Sequence, residues 1–294
     1  IDEKIATSYE LTNKSSIISN DLEKYYKDDK GFCATFYNEN GTPLTNKNIT
    51  FSVNGVSYIK TTDNNGTAKL NINLESGNYT IISYNPTTNE TITNNITVLS
   101  SINGNDLTKY FKNATQYSVT LYDKTGKALV NKTVRFNING IFYERKTNEK
   151  GVAQLNINLD PGNYIVTVYN LITGEEKSNN INVVSRIQLL DLNNASNVIL
   201  PEGYVIPVMF IGNGKAYAQC RATTLDEKGN PLANQLVTFN INGIIYKGTT
   251  DKFGIIDAII YVNADWGNTY HICTATFGES FASQTVIVKR FVMG

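Results

Sequence analysis

Three cysteines and one histidine are too few, and too scattered, to assemble a metal centre. No CxxC pair and no Cys/His cluster at zinc-ligand spacing occurs, so neither a metal nor a cofactor is expected. Charge is sparse as well. Only 18% of residues are Asp, Glu, Lys or Arg, and 26 basic residues balance 26 acidic ones. No Lys/Arg-rich run exists, which removes the electrostatic footprint of a nucleic-acid binder. No apolar run approaches the length of a membrane span. Catalytic signatures are missing too: there is no HExxH, no GxSxG and no phosphate-binding glycine loop. Gly212–Lys215 (GNGK) lacks the upstream Gly and the following Ser/Thr of a P-loop. A Ser-His-Asp device would have to use His271, whose neighbours TYHICTATF read as a strand. The chain is therefore expected to be non-enzymatic.

What is present is polar but neutral. Asn, Thr, Ser and Tyr are abundant, and Asn-x-Ser/Thr sequons are dense: Asn13, Asn40, Asn48, Asn65, Asn78, Asn89, Asn95, Asn113, Asn131 and Asn194. Composition alone produces part of that density, and the remainder points to an exported, extracellular glycoprotein. No signal peptide is present and the chain opens at Ile1 in mid-phrase, which reads as a piece of a longer protein. At 294 residues, two or three domains are expected.

One phrase is written three times: FSVNGVSY at Phe51–Tyr58, FNINGIFY at Phe136–Tyr143 and FNINGIIY at Phe239–Tyr246. The offsets are 85 residues from Asn54 to Asn139 and 103 from Asn139 to Asn242. At the first offset the flanks repeat as well. NDLEKYYK (Asn20–Lys27) returns as NDLTKYFK (Asn105–Lys112), and AKLNINLESGNYTI (Ala68–Ile81) as AQLNINLDPGNYIV (Ala153–Val166). The third copy keeps DEKGNPLANQLVTFNINGIIYKGTTDKFG (Asp226–Gly254) and carries its extra length mainly in Ser185–Lys215. A unit this long is not a solenoid repeat but a small domain.

Within a unit, short alternating segments such as YSVTLYD (Tyr117–Asp123) and TVRFNI (Thr133–Ile138) are separated by KTG, Asn-Gly, NEKG and DPGN turns. About seven strands at this spacing predict an all-β chain of three tandem immunoglobulin-like antiparallel sandwiches forming an elongated rod. Expected bounds are 1–19 for a linker or the end of a preceding module, then 20–102, 103–185 and 186–294 for the three modules. The connection Ser100–Leu107 is short, which favours a stiff rod. Ser185–Gly214 is expected to hold an extra or extended strand, limited by Pro201 and Pro207. Asn-Gly is read as a hairpin signal, because a type I′ turn needs positive φ at both central residues. Tyr79 and Tyr164, each after Gly-Asn, are placed to pin the E–F corner, with Tyr270 as the third candidate.

The segments KYFKNATQYSVTLYDKTGKALVNKTVRFNINGIFY and TNEKGVAQLNINLDPGNYIVTVYN resemble the tandem repeats of adhesin-like surface proteins of methanogenic archaea. More broadly, the modules are similar to the group 1 bacterial immunoglobulin-like repeats of invasin and intimin stalks. The likeness covers roughly residues 20–185, is partial over 216–289 and is weak elsewhere. It implies a cell-surface adhesin whose stalk projects a binding region toward a protein or glycan receptor, with no catalytic motif to carry over. A monomer is expected.

The remaining candidates follow from that fold. Cys220 and Cys273 fall on the predicted B and F strands of the third module, where immunoglobulin domains place their inter-sheet disulfide; two buried thiols are the alternative. Lys24 and Lys109, with Asn94, Asn95, Asn179 and Asn180, occupy the first and last strands that carry Lys–Asn isopeptide bonds in pilin-type domains. The acid that would shuttle protons is missing from AKLNINL and AQLNINL, so a solvated Lys is the competing reading. The turn acids in TTDNNG, TNEKG and TTDKFG lack the ligand alternation of a calcium loop. Trp266, Tyr261 and Phe253 in the divergent third module are the place to look for a sugar-stacking surface. Homophilic pairing of strand edges is the other alternative.

Overall fold

The computed structural model describes residues 15–190, 201–204, 215–266 and 269–290. They are almost entirely strands and turns, gathered around three hydrophobic cores. Among them no helix is long and apolar enough to cross a membrane.

The first core is enclosed by β1 (Ile17–Ser19), β2 (Leu22–Tyr25), β3 (Gly31–Phe36), β4 (Asn48–Val53), β5 (Val56–Thr61), β6 (Thr67–Asn71), β7 (Gly77–Tyr84) and β8 (Thr91–Leu99). They form a three-stranded sheet, β1-β3-β6, and a five-stranded sheet, β2-β8-β7-β4-β5. The second module repeats this plan. Its strands are β9 (Ile102–Gly104), β10 (Leu107–Tyr110), β11 (Tyr117–Leu121), β12 (Thr133–Ile138), β13 (Ile141–Lys146), β14 (Val152–Leu155), β15 (Gly162–Asn170) and β16 (Glu176–Val184). Its sheets run β14-β11-β9 and β10-β16-β15-β12-β13. This is an immunoglobulin-like sandwich, with inward residues alternating along the strands other than the exposed edge strands β5 and β13. Phe51, Phe136 and Phe239 sit at equivalent, fully buried positions, each burial stabilising its core by roughly 2–3 kcal/mol.

Contrary to the expectation of purely antiparallel sandwiches, not every pair is antiparallel. β2 runs parallel to β8 and β10 parallel to β16. The cause is a change of sheet. β1 pairs with β3, the chain bends at Asp21, and β2 then lies beside the last strand of the opposite sheet. Asp21 fixes the bend by accepting the Asn95 main-chain N–H (2.8 Å) and the side-chain amides of Asn94 and Asn95. Asp106 does the same with Asn179 and Asn180. Those bonds, the Asn95 and Asn180 main-chain amides first, hold both carboxyls below the usual carboxylate range.

The leading bounds also differ. Ser15–Ser19 is not a linker: β1 pairs with β3 and Ile17 is buried in the first core. Ile102 likewise belongs to the second core. Residues 1–14 lie outside the described part.

The third module comprises β17 (Ile187–Leu190), β18 (Ala216–Thr224), β19 (Leu236–Ile241), β20 (Ile244–Thr249), β21 (Ile255–Val262), β22 (Thr269–Phe277) and β23 (Ser280–Arg290). Its strands join into one sheet, β17-β18-β23-β22-β19-β20, with β21 on β18. β18 makes the join, pairing with β23 through Ala216–Ala218. Of the long connection before it, β17 is the counterpart of β1 and β9, pairing Ile187 with Thr224 as Ile17 pairs with Phe36, and 201–204 form a turn; residues 191–200 and 205–214, where an extra strand was expected, fall outside the described residues.

All three Asn-Gly pairs form type I′ turns. Asn54, Asn139 and Asn242 have φ of 52°, 52° and 48°, followed by Gly55, Gly140 and Gly243 at 77°, 78° and 89°. Ile138 and Ile141 face each other across the turn. The Tyr79 hydroxyl donates to the Glu75 carbonyl (2.9 Å) and the Tyr164 hydroxyl to Asp160 (2.8 Å), the corner bonds expected. Among the described residues Tyr270 makes no such bond; it is 71% exposed.

Candidate functional site

The joints between modules bring together side chains that are far apart in the sequence. The chain passes from β8 to β9 through Ser100 and Ser101 alone, and from β16 to β17 through Ser185 and Arg186. Neither pair is slack. Ser101 donates its N–H and its hydroxyl to Glu175 Oε2, both at 2.6 Å, and Asn170 Nδ2 bridges Ser101 Oγ (3.0 Å) and the Tyr122 carbonyl (3.0 Å). In the third module the Arg186 N–H donates to Ser280 Oγ (2.8 Å) and the Ser185 hydroxyl to the Phe281 carbonyl (2.7 Å).

Side chains complete each joint. The Tyr25 ring of the first module lies on Gly126 in the Asp123–Gly126 turn of the second. A Cβ at Gly126 would fall 2.2 Å from Tyr25 Cε2. Tyr25 also meets the Tyr122 ring, centroids 5.8 Å apart. At the next joint the Tyr110 ring lies on Gly229, where a Cβ would meet it at 2.5 Å. Both glycines have left-handed φ, 85° and 87°, so only Gly satisfies the turn and the close approach together. Polar contacts surround the rings. Lys124 pairs with Asp29, Lys112 with Glu279 (2.6 Å), and Asn113 Nδ2 donates to the Glu227 carbonyl (2.7 Å). The two ion pairs are exposed and weak, so the half-buried ring-on-glycine contact carries most of each joint.

The expected Lys–Asn pairs are not assembled. Lys24 and Lys109 are only 2% and 5% exposed, not solvated. They stand opposite Val98 and Val183, and their ammonium groups donate to the Ile72 (2.6 Å) and Ile157 (2.9 Å) carbonyls. Burial pushes both amines below the ordinary lysine range. The four asparagines are committed to Asp21 and Asp106 instead. The turn residues Asp63, Asn148 and Asp251 each accept two main-chain N–H bonds within their own turns.

Cys220 and Cys273 are buried thiols with their sulfurs 3.3 Å apart. Cys220 takes the core position that Phe32 and Tyr117 fill in the other modules, four residues ahead of Thr224, Phe36 and Leu121. Cys273 takes the place of Ile81 and Val166, cross-strand from the residue before each Asn-Gly turn. The hydrogen bond to Cys273, and then burial, push the Cys220 thiol up. Cys33 is an exposed thiol in the first module.

The proposed sugar platform is divided. Phe253 precedes β21 and Trp266 follows it, so the two flank opposite ends of an 8-residue strand. Phe253 packs edge-on against Tyr204 (5.7 Å) with Lys252 Nζ 4.9 Å from its centroid. Trp266 stacks on His271 at 4.9 Å, and Tyr261 is at the end of β21, opposite Tyr217. His271 accepts from Asn242 Nδ2 at Nδ1 (2.8 Å), leaving Nε2–H for Thr269 Oγ1 (2.7 Å). Among the described residues neither of these partners is an acid. The Arg221–Asp257 ion pair (2.6 Å) escaped the sequence reading. Its side chains are 3% and 2% exposed, Tyr204 donates its hydroxyl to Asp257, and the guanidinium lies over the Tyr204 ring. Burial, and then that hydrogen bond, raise the Tyr204 hydroxyl. A lone acid in the apolar run GIIDAIIYV was the available signal.

Of the sequons, Asn40, Asn48, Asn65, Asn78, Asn89 and Asn131 are exposed, Asn95 is tied to Asp21 and Asn113 to the second joint. Asn13 and Asn194 lie outside the described residues.

No protein-family model matches this chain, and no curated protein does. Solved structures do. A Ca2+-stabilized adhesin with which an Antarctic bacterium reaches out and binds ice is 13% identical, with 96% of this chain and 74% of that one covered and a TM-score of 0.23. The FN1–FN3 domains of chicken CNTN1 are 11% identical over 94% and 98% of the two chains, TM-score 0.24. The Bacteroides ovatus mixed-linkage glucan protein SGBP-B, in complex with a heptasaccharide, is 10% identical over 93% and 66%, TM-score 0.22.

Proposed function

We propose that this chain is a non-enzymatic stalk segment of an extracellular, cell-surface adhesin. Its three immunoglobulin-like modules hold a fixed order and project a binding region toward a protein or glycan receptor on a cell or host. One observation supports this reading above the others: the two joints are built alike, with a two-residue connection clamped by hydrogen bonds and a leading-strand tyrosine seated on the next module's turn glycine. A chain whose modules acted singly would have no need to repeat that seat. The third module, which departs from the other two, is the one that meets the receptor. Binding of the whole chain to candidate partner cells and a glycan array, beside a form lacking residues 186–294, tests this. Loss of binding on deletion is expected, and equal binding by both forms would refute the third module's role.

Homophilic association is a second reading, favoured by the sheet edges. β5, β13 and β20 end their sheets, and Ile59, Phe142 and Ile245 on them are 69%, 58% and 59% exposed. Unpaired edges of this kind can take up a strand from another chain. Sedimentation at rising concentration should reveal the association, and a constant monomer mass would rule it out.

A further inference from the structure

The seat that receives a tyrosine at each joint exists a third time, with no ring on it among the described residues. In the first module the Asn38–Gly41 turn matches Asp123–Gly126 and Asp226–Gly229 bond for bond. Asn38 Oδ1 accepts the N–H groups of Asn40 (3.0 Å) and Thr42 (2.9 Å), as Asp123 does from Thr125 and Lys127 and Asp226 from Lys228 and Asn230. Gly41 has φ 73°, and among the described residues nothing stands within 4 Å of where its Cβ would be. Beside it lies Tyr37, which bridges to Pro43 as Tyr122 does to Ala128.

The lead-in to this module is prepared in the same way. Ser16 donates its N–H and hydroxyl to Glu90 Oε2, both at 2.6 Å, and Asn85 Nδ2 ties Ser16 Oγ (3.0 Å) to the Tyr37 carbonyl (2.8 Å). These are the contacts that Ser101, Glu175, Asn170 and Tyr122 make at an occupied joint. Glu39 occupies the turn position of Glu227, whose carbonyl receives Asn113.

We infer that the Asn38–Gly41 face is a docking site for one further module of this repeat, placed ahead of Ser15, with its leading-strand tyrosine on Gly41. The best-fitting occupant carries the Lys-Tyr-Phe-Lys-Asn end of the second module, whose asparagine would reach the Glu39 carbonyl as Asn113 reaches Glu227. This inference rests on the stalk reading and extends it to a third joint.

The test joins a copy of residues 100–184 directly to Ser15 of the chain and follows glycine Hα resonances by NMR. In the present chain Gly126 and Gly229 should show upfield ring-current shifts that Gly41 lacks. In the extended chain Gly41 should move upfield like Gly126, and Tyr110→Ala in the added copy alone should cancel the move. An unmoved Gly41, with Gly126 and Gly229 still shifted and the added copy's Asn-Gly hairpin resonances native, overturns this inference while sparing the stalk reading. Unshifted Gly126 and Gly229 would overturn both. If the added copy does not fold, residues 15–99 take its place, and Gly41 is read against Tyr25 of that copy by the same criteria.

Discussion

Oxidation of Cys220 and Cys273 is the perturbation whose size can be worked out most directly. The sulfurs are 3.3 Å apart and the residues 53 positions apart in the chain. A disulfide closing a loop of that size removes denatured-state entropy worth about 4 kcal/mol. In a domain of this size that corresponds to a rise of roughly 15–30 °C in the melting temperature of the third module. The other two modules have no such pair and should not respond, which supplies an internal control. Burial shields both thiols from oxidant, so the bridge should form during refolding under oxidant, not in the finished fold. Calorimetry of oxidised and reduced protein, with intact mass to count hydrogens lost, measures the effect. One transition should shift and two should stay. The reasoning fails if mass shows the bridge and all transitions coincide in both forms, or if the bridge forms only with loss of native spectral dispersion.

Other consequences follow from single contacts. Gly140→Val forces a β-branched residue to φ near 78° and should cost the second module about 1–2 kcal/mol in denaturant unfolding, with binding to any receptor unchanged. Lys109 has a folded pKa below its unfolded value, so the folded state loses its proton first. Stability of the second module should therefore rise as pH climbs from that lowered value toward the ordinary lysine value of 10.5, and Lys109→Met should flatten the rise in urea titrations. Asn113 is committed to the Glu227 carbonyl, so glycopeptide mapping should find it unmodified while exposed sequons such as Asn65 and Asn131 carry glycan.

The hairpins were legible because their cause is local. Asn-Gly needs no distant partner to demand positive φ twice, and Gly-Asn-Tyr at a strand end pointed to the corner hydroxyl in the first two modules. Tyr270 failed the same test because the third module's turn carries a different sequence, and the ring is left outward. The parallel pairing of β2 and β10 depends on partners some seventy residues on, brought close by Asp21 and Asp106; no alternation in DLEKYY or DLTKYF encodes it. Lys24 and Lys109 read as surface residues because a lysine normally is one, and only the carbonyls at the ends of the neighbouring strands show why they are inside. The joints were hidden for a related reason. Tyr25 and Tyr110 look like ordinary strand tyrosines, and the glycines beneath them look like ordinary turn glycines, until the next module is folded against them.

The central claim is that the modules are held in register by the seated tyrosines. Spin labels on exposed sites of the first and second modules, read by pulsed dipolar spectroscopy, measure it most directly. A narrow distance distribution is expected in the native chain; it should broaden when Tyr25→Ala removes the ring, while Lys124→Ala, which removes only an exposed ion pair, should leave it nearly unchanged. A native distribution as broad as that of Tyr25→Ala would contradict the claim.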